Sequence, residues 1–393
     1  MKPAARRPLA ALVLLYACSN AHAADTVGFY QTHRDRLQGM PTHVVLLDDE
    51  LRTQLPYGNS GIDPGWRQSL VQTTIDNTLA TVPGISMGQA MAAGAVGGLL
   101  GAAIAAKAAE VEAEARVEPA HNLLREAGCP LPVGDQLAQA VGAGLLAGIG
   151  GPASQPKVVT LGPKQDVDDV VDRKSERRVL TGSSSITPDF STVVTSLKID
   201  VYSAAIEGAD RRWETRPVRT DRLVVASDQV RIEPKTQDDI DALVKAENER
   251  FAAGPTQDLI AKANAGDRAA RKKALKEQWR HDFRLKEARQ TNWTPATAAL
   301  KHAGIWVADD CSLLTGALRS NNAELERMLV ALHDGSLPGQ ELAGDEGKID
   351  IMQPLPGEQD GVRMVNPLPG NTFLSRRGGD YASLAYLYTW YEP

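Results

Sequence analysis

A serine between two glycines is the first pattern in this sequence that could do chemistry. Residues 84–88 read GISMG, and Gly-x-Ser-x-Gly is the pattern in which a strand-to-helix turn exposes a serine for nucleophilic attack. Such a serine needs a histidine base oriented by a carboxylate. His302 and His333 lie downstream as candidate bases. The chemistry would be acyl transfer by Ser86.

The elements around Ser86 do not suit that chemistry. The pattern resembles that of lipases of the α/β-hydrolase family, whose fold needs alternating strands and helices around a parallel sheet. Here Pro83 precedes the motif, DNTLATV forms a weak strand, and antiparallel strands and then helices follow. We therefore interpret Ser86 as a helix N-cap and predict no catalytic residue. A secreted serine hydrolase using GISMG remains the alternative function.

The residues after Ser86 predict a helix with one nearly flat face. Its small residues are spaced four apart in two adjacent rows, which contain Gly94 and Gly98 in one and Gly97 and Gly101 in the other. Glycine inside a helix costs about 1 kcal/mol relative to alanine. Close approach of a second helix can offset that cost, so these glycines predict helix packing or self-association.

A second small-residue segment supplies a candidate partner. Residues 135–152 read DQLAQAVGAGLLAGIGGP and place Ala140, Gly144 and Gly148 on one stripe. No charged residue occurs between Asp76 and Lys107, although alanine and glycine contribute little to membrane transfer. Two interpretations stay open for this helical hairpin: insertion into or re-entry from a membrane, and a glycine-packed soluble hairpin or oligomer interface.

The N-terminus predicts export. Three cations precede the apolar run Leu9–Ala17, and a small-x-small site ends at Ala23, as in a secretory signal peptide of residues 1–23. Residues 15–18 also approximate a lipobox, so lipidation at Cys18 is an alternative processing route. Either route predicts the periplasm or outer membrane of a Gram-negative bacterium.

Charge and cysteine content restrict the function classes further. Removing residues 1–23 takes away three cations and no anions, so the formal net charge changes from −6 to −9. So acidic a chain is not expected to bind nucleic acid. After this removal the chain keeps two cysteines, Cys129 and Cys311. In an oxidising compartment they are expected either to form a disulfide or to stay as buried free thiols.

Metal and cofactor motifs are weak. The acidic run DVDDVVD from Asp166 lacks the glycine and ligand spacing of a calcium loop. The seven histidines contain no helical pair around a glutamate, and no phosphate-binding glycine pattern occurs. We predict no metal and no cofactor.

The remaining periodicity predicts an α+β protein in successive regions. Residues 24–156 hold the glycine-rich hairpin, and residues 157–235 alternate as a small antiparallel sheet. Residues 236–345 predict helices with breaks near Gly254, Asn292–Pro295, Gly304 and Ser320. Residues 346–393 predict turns, including QPLPG and NPLPG, and a closing β-hairpin at DYASLAYLYTWYEP.

One predicted helix is strongly basic. Residues 268–290 contain nine cations and three acids, with Leu275, Trp279 and Phe283 four apart. Such a helix can lie on anionic lipid head groups. More often it presents a solvated face while the aromatic residues pack over a core, which is the interpretation we favour from sequence.

Residues 1–127 together suggest a family. A signal peptide with a possible lipidation site, a short strand, a glycine-striped segment and a charged helix resemble the glycine-zipper proteins of Gram-negative envelopes. The resemblance implies envelope association and self-assembly, with membrane lipid or an envelope protein as partner. We therefore predict a non-enzymatic exported envelope protein. A secreted membrane-inserting effector is a further alternative.

Overall fold

The computed structural model describes residues 28–53, 118–149, 155–162, 165–206, 213–254, 256–340, 352–357, 363–368 and 371–377. The helices in these ranges are α1 (Phe29–Thr32), α2 (Arg34–Gly39), α3 (118–126), α4 (Val133–Ile149), α5 (Val167–Val170), α6 (Gln237–Ala253), α7 (Thr256–Asn264), α8 (Arg268–Ala288) and α9 (Pro295–Asp334). The strands are β1 (Thr42–Leu46), β2 (Arg52–Thr53), β3 (Lys157–Thr160), β4 (Arg177–Ile186), β5 (Val193–Tyr202), β6 (Arg219–Ala226), β7 (Gln353–Pro354), β8 (Met364–Leu368) and β9 (Thr372–Arg376).

The strands form one mixed sheet in the order β3-β1-β4-β5-β6-β9-β8-β7, with β2 pairing with β4. The centre, β4 to β6, is antiparallel as predicted. This antiparallel part belongs to a larger, mixed sheet, because β1 pairs in parallel with β3 and β4, and β6 pairs in parallel with β9. The α+β class is confirmed. The sheet draws strands from three of the predicted regions.

Helix α4 and the second half of α9 cover one face of the sheet. The alternation in β5 that predicted a half-buried strand turns Leu197 and Ile199 toward these helices, where both are fully enclosed. The helices contribute the other half of this core: Leu137, Val141 and Leu145 from α4, and Leu325, Met328 and Leu329 from α9.

The second glycine stripe packs within the chain. A Cβ atom on Gly144 would lie 3.1 Å from Leu329 Cδ2 and 3.2 Å from the carbonyl oxygen of Glu326. A Cβ atom on Gly148 would lie 3.0 Å from His333 Cβ. The α4 stripe therefore faces α9. Gly94, Gly97, Gly98 and Gly101 lie outside the described residues, as does Ser86, so the predicted hairpin and N-cap stay predictions.

The helical region begins as predicted. Thr236 caps α6 in a reciprocal capping box with Asp239. The helices are interrupted at Gly254, directly after α6, and before Pro295, where α9 begins. Gly304 and Ser320, near which breaks were predicted, both lie inside α9, and the interruption of this helix falls instead at Ala308–Cys311. Within the described residues, no helix combines the length and apolar content needed to span a bilayer.

The C-terminal strands return to the sheet. The first three residues of NPLPG, Asn366, Pro367 and Leu368, belong to β8, which pairs with β9 in antiparallel orientation. The turn predicted for this motif involves residues 369–370, which lie outside the described residues. The predicted hairpin at residues 380–393 lies outside the described residues.

Candidate functional site

Helix α9 is interrupted at Ala308–Cys311. Ala308 is extended, with ψ of 154°, and Asp309, Asp310 and Cys311 have φ values of 49°, 53° and 61°. This left-handed conformation costs residues other than glycine about 1 kcal/mol or more each, so the surrounding structure must hold it. Cys311 is joined by a disulfide to Cys129, with 5.8 Å between the Cα atoms. The bridge fixes the interruption to the segment that follows α3.

A cleft of about 780 Å³ opens beside this interruption. One wall is α9, and the other is the extended segment Ser227–Val230 that follows β6. Its apolar surface includes Trp306, Leu313 and Ala317, and Leu313 is 46% exposed. A partly exposed apolar surface in a concave site is typical of binding sites for small molecules.

Hydrogen bonds to backbone carbonyls hold the walls in place. The N–H of Ser227 donates to the carbonyl of Val193 at 2.9 Å, and the N–H of Val230 donates to the carbonyl of Ser191 at 2.8 Å. On the α9 side, Trp306 Nε1 donates to the carbonyl of Phe190 at 2.6 Å. Both walls are therefore anchored to the start of β5 and to the β4–β5 turn.

Two arginines stand at one end of the cleft. Arg363 is buried, pairs with Glu324 at 2.9 Å, and donates to Ser320 Oγ at 2.6 Å. Burial lowers the pKa of Arg363, opposed by Glu324, and nearby Arg377 lowers it further. Arg377 is half exposed and contacts Asp228 at 3.2 Å. Among the described residues, the Arg377 guanidinium is paired with Asp228, whose side chain is exposed to solvent and can be replaced by a ligand group.

The candidate bases of the hydrolase interpretation have structural roles. His302 Nδ1 lies 2.7 Å from the carbonyl of Asp189 and holds the β4–β5 turn. His333 is buried in the core between α4 and α9, with Nδ1 at 2.7 Å from the carbonyl of Leu329. Burial, followed by the charge of Arg178, lowers the pKa of His333 to about 3. Ser86 and Cys18 lie outside the described residues.

The acidic run at residue 166 is a short helix. Asp166 caps α5 through a capping box with Asp169, which gives these carboxylates a local structural role. No cluster of metal-binding side chains occurs in the part of the chain that the structure describes.

Helix α8 forms a second candidate surface. The favoured interpretation that its aromatic residues pack over a core is wrong, because Leu275, Trp279 and Phe283 are 64%, 67% and 49% exposed. Its buried side consists of Ala270, Ala274, His281 and Ala288.

The sequence patterns did not identify several of the residues that line the cleft. Arg363 and Arg377 lie in a turn-rich region and reach the cleft only because β8 and β9 join the sheet. The interruption at Ala308–Cys311 contains neither glycine nor proline. No family model, curated protein or solved structure matches the chain.

Proposed function

We propose that the protein is an exported envelope protein with a non-enzymatic binding role, and that the cleft beside the α9 interruption is its binding site. The observation that carries this proposal is the cleft itself, a concave surface of about 780 Å³ with exposed apolar walls and two arginines at one end. That volume lies within the range of small-molecule sites, roughly 300 to 1,000 Å³.

The side chains suggest the chemistry of the ligand. Its apolar part would cover Leu313 and Ala317, which lie along the α9 wall. An anionic or hydrogen-bond-accepting group would replace Asp228 as the partner of Arg377, since arginine donates in a planar fork that suits carboxylates and related anions. The proposed ligand is therefore an amphiphilic small molecule with one acidic group.

Blocking the cleft tests the proposal. A Cβ atom on Gly316 would meet no atom within 4 Å, and Gly316 lines the cleft. Gly316→Phe should fill the cleft without disturbing α9. Gly304→Phe is the matched control, because its Cβ atom would also meet no atom within 4 Å and Gly304 does not line the cleft.

The probe is 8-anilinonaphthalene-1-sulfonate, which combines apolar rings with one anionic group. We expect saturable fluorescence enhancement with the wild-type chain and the Gly304→Phe variant. Gly316→Phe and Arg377→Ala should weaken binding at least about tenfold, the effect of losing about 1.4 kcal/mol. Equal binding by Gly316→Phe and wild type would mean that the cleft is not the site.

Association with membrane or with itself through the glycine-striped segment is the second part of the proposed role. One support is that Gly94 and Gly98 are four residues apart in the sequence. A second is that Gly144 and Gly148, which have the same spacing, pack closely against α9. Replacing Gly94 and Gly98 with leucine should disrupt assembly or membrane retention. Normal assembly and fractionation of that variant would refute this part.

A further inference from the structure

Three large apolar side chains stand in one row on the outside of α8. Leu275, Trp279 and Phe283 follow each other at four-residue intervals, and the rings of Trp279 and Phe283 stack with centroids 5.8 Å apart. Trp279 is the most exposed of the three, at 67%. Solvent-exposed tryptophan and phenylalanine in one contiguous row are unusual for a surface without a partner.

Cations surround this row on the same side of the helix. At about 100° of rotation per residue, the positions within about 60° of Trp279 carry four cations and one acid. These charged residues, all exposed, are Arg268, Lys272, Lys276, Lys286 and Asp282. We call this surface, including Leu275, Trp279 and Phe283, the α8 face. It is positive although the chain as a whole has a net charge of −6.

The opposite side of α8 is firmly attached to the protein. His281 stacks on the ring of Phe251 with centroids 4.0 Å apart, and its Nδ1 lies 3.0 Å from Glu247 Oε1. Glu247 also forms a two-point ion pair with Arg250. The hydrogen bonds from Arg250, and to a lesser extent that from His281, lower the pKa of Glu247 to about 2, although burial acts to raise it. The packing fixes which side of α8 points outward.

We infer that the α8 face docks the protein on an anionic lipid bilayer, with α8 lying in the plane of the head groups. A helix of 21 residues is about 31 Å long. An amphipathic helix with aromatic and leucine side chains on one side and basic side chains around them binds such surfaces by burying the apolar groups at the head-group boundary. This goes beyond the proposed ligand cleft and does not depend on it.

Three features favour a bilayer over an acidic protein as the partner. The apolar residues form a convex row along a single helix, whereas a protein interface concentrates its binding energy in a central, well-packed pocket. Tryptophan suits the boundary between head groups and acyl chains because its ring is apolar and its N–H is polar. Lysine side chains can extend from an apolar surface to reach phosphate groups.

The test uses the full chain, expressed with its own N-terminus so that any processing occurs, and vesicles of phosphatidylcholine with or without phosphatidylglycerol. Sedimentation measures the bound fraction. We expect the wild-type chain to bind vesicles that contain phosphatidylglycerol, to bind neutral vesicles at least about tenfold more weakly, and to lose affinity as salt is added.

Two sets of variants separate the charges from the apolar row. Lys272→Glu with Lys276→Glu should weaken binding by about 25-fold or more, from about fivefold for each lysine at an anionic surface. The matched control, Lys174→Glu with Lys245→Glu, makes the same change in net charge at exposed positions elsewhere and should bind like the wild type apart from a small effect of overall charge.

The apolar variants replace Leu275, Trp279 and Phe283 with serine. Binding should fall at least about tenfold. Leu146→Ser with Leu300→Ser is the matched control, since these leucines are 58% and 40% exposed outside the α8 face. All substituted positions are exposed, so circular dichroism and the melting temperature should stay unchanged and report that the variants fold.

Four results would overturn the inference: no vesicle binding by the wild-type chain, equal binding to neutral and anionic vesicles, undiminished binding by both sets of α8 variants, or equal losses in the variants and their controls. Light scattering after size exclusion adds one more. If the α8 variants dissociate an oligomer while vesicle binding is unaffected, the face is a protein interface and the lipid assignment is wrong.

Discussion

The contact between α4 and α9 leads to a prediction in which one substitution has opposite effects at two positions of the same helix. Gly142 and Gly148 both lie inside α4. A Cβ atom on Gly142 would meet no atom within 4 Å, whereas one on Gly148 would lie 3.0 Å from His333 Cβ and 3.3 Å from Val330 Cα. Comparing the glycine-to-alanine substitution at these two positions therefore separates the effect of close helix packing from the effect of helix propensity.

The magnitudes follow from two competing terms. Alanine raises helix stability by about 0.8 to 1.0 kcal/mol relative to glycine, and Gly142→Ala should gain most of this. Gly148→Ala makes the same gain but crowds the backbone and Cβ atoms of α9, which cannot rotate away. Overpacking of this kind costs about 1 to 3 kcal/mol. We expect the free energy of unfolding of Gly148→Ala to lie about 1 to 3 kcal/mol below that of Gly142→Ala.

Urea unfolding followed by circular dichroism measures both free energies, and differential scanning fluorimetry gives the melting temperatures. Gly144→Ala provides a repeat of the crowded case, since its Cβ atom would lie 3.1 Å from Leu329 Cδ2. If Gly144→Ala and Gly148→Ala are as stable as Gly142→Ala, the glycine stripe of α4 is not in close contact with α9 and the packing argument fails.

Two further predictions concern the buried histidine and the disulfide. Because burial and Arg178 lower the pKa of His333 to about 3, the unfolded chain takes up a proton that the folded chain does not, so stability should fall by about 1.4 kcal/mol per unit as pH drops from about 6.5 toward 3. The measurement is the urea midpoint of unfolding as a function of pH. The loss of stability per pH unit should be smaller in His333→Met than in the wild-type chain, and unchanged in a variant at His121, which is exposed. The disulfide between Cys129 and Cys311 closes a sequence separation of 182 residues, so replacing both with alanine should lower stability by up to about 5 kcal/mol. A reducing agent should lower the melting temperature of the wild-type chain and leave that of the double variant unchanged. The same slope in His333→Met, or a wild-type chain insensitive to reduction, would contradict these two arguments.

Local chemistry predicted several elements because the necessary interactions lie within a few residues. The small-residue helix α4 and the start of the helical region at residue 236, which Thr236 caps, were predicted in this way. The alternation within residues 157–235 predicted antiparallel strands, and in β5 it places Leu197 and Ile199 on the buried face. Each of these features depends on neighbours in sequence.

The candidate sites could not be predicted in the same way. The interruption of α9 contains no glycine or proline and depends on the disulfide and on packing from elements far away in sequence. The cleft exists because β9 pairs with β6, which brings Arg377 next to Asp228 across 149 residues. Strand alternation cannot reveal such pairings, because it specifies a buried face without specifying a partner.

The sequence by itself indicated the small-residue helix α4, the helical region from α6 to α9, the antiparallel strands β4 to β6, and the basic and aromatic composition of α8. Only the tertiary structure decided which surfaces these elements bury. The row of Leu275, Trp279 and Phe283 has the spacing of a core-facing stripe, yet it points outward because the alanines and His281 on the other side of α8 fit closely against α6 and α7. Periodicity specifies that an apolar stripe exists, and the competition between two possible packing faces decides whether that stripe is buried.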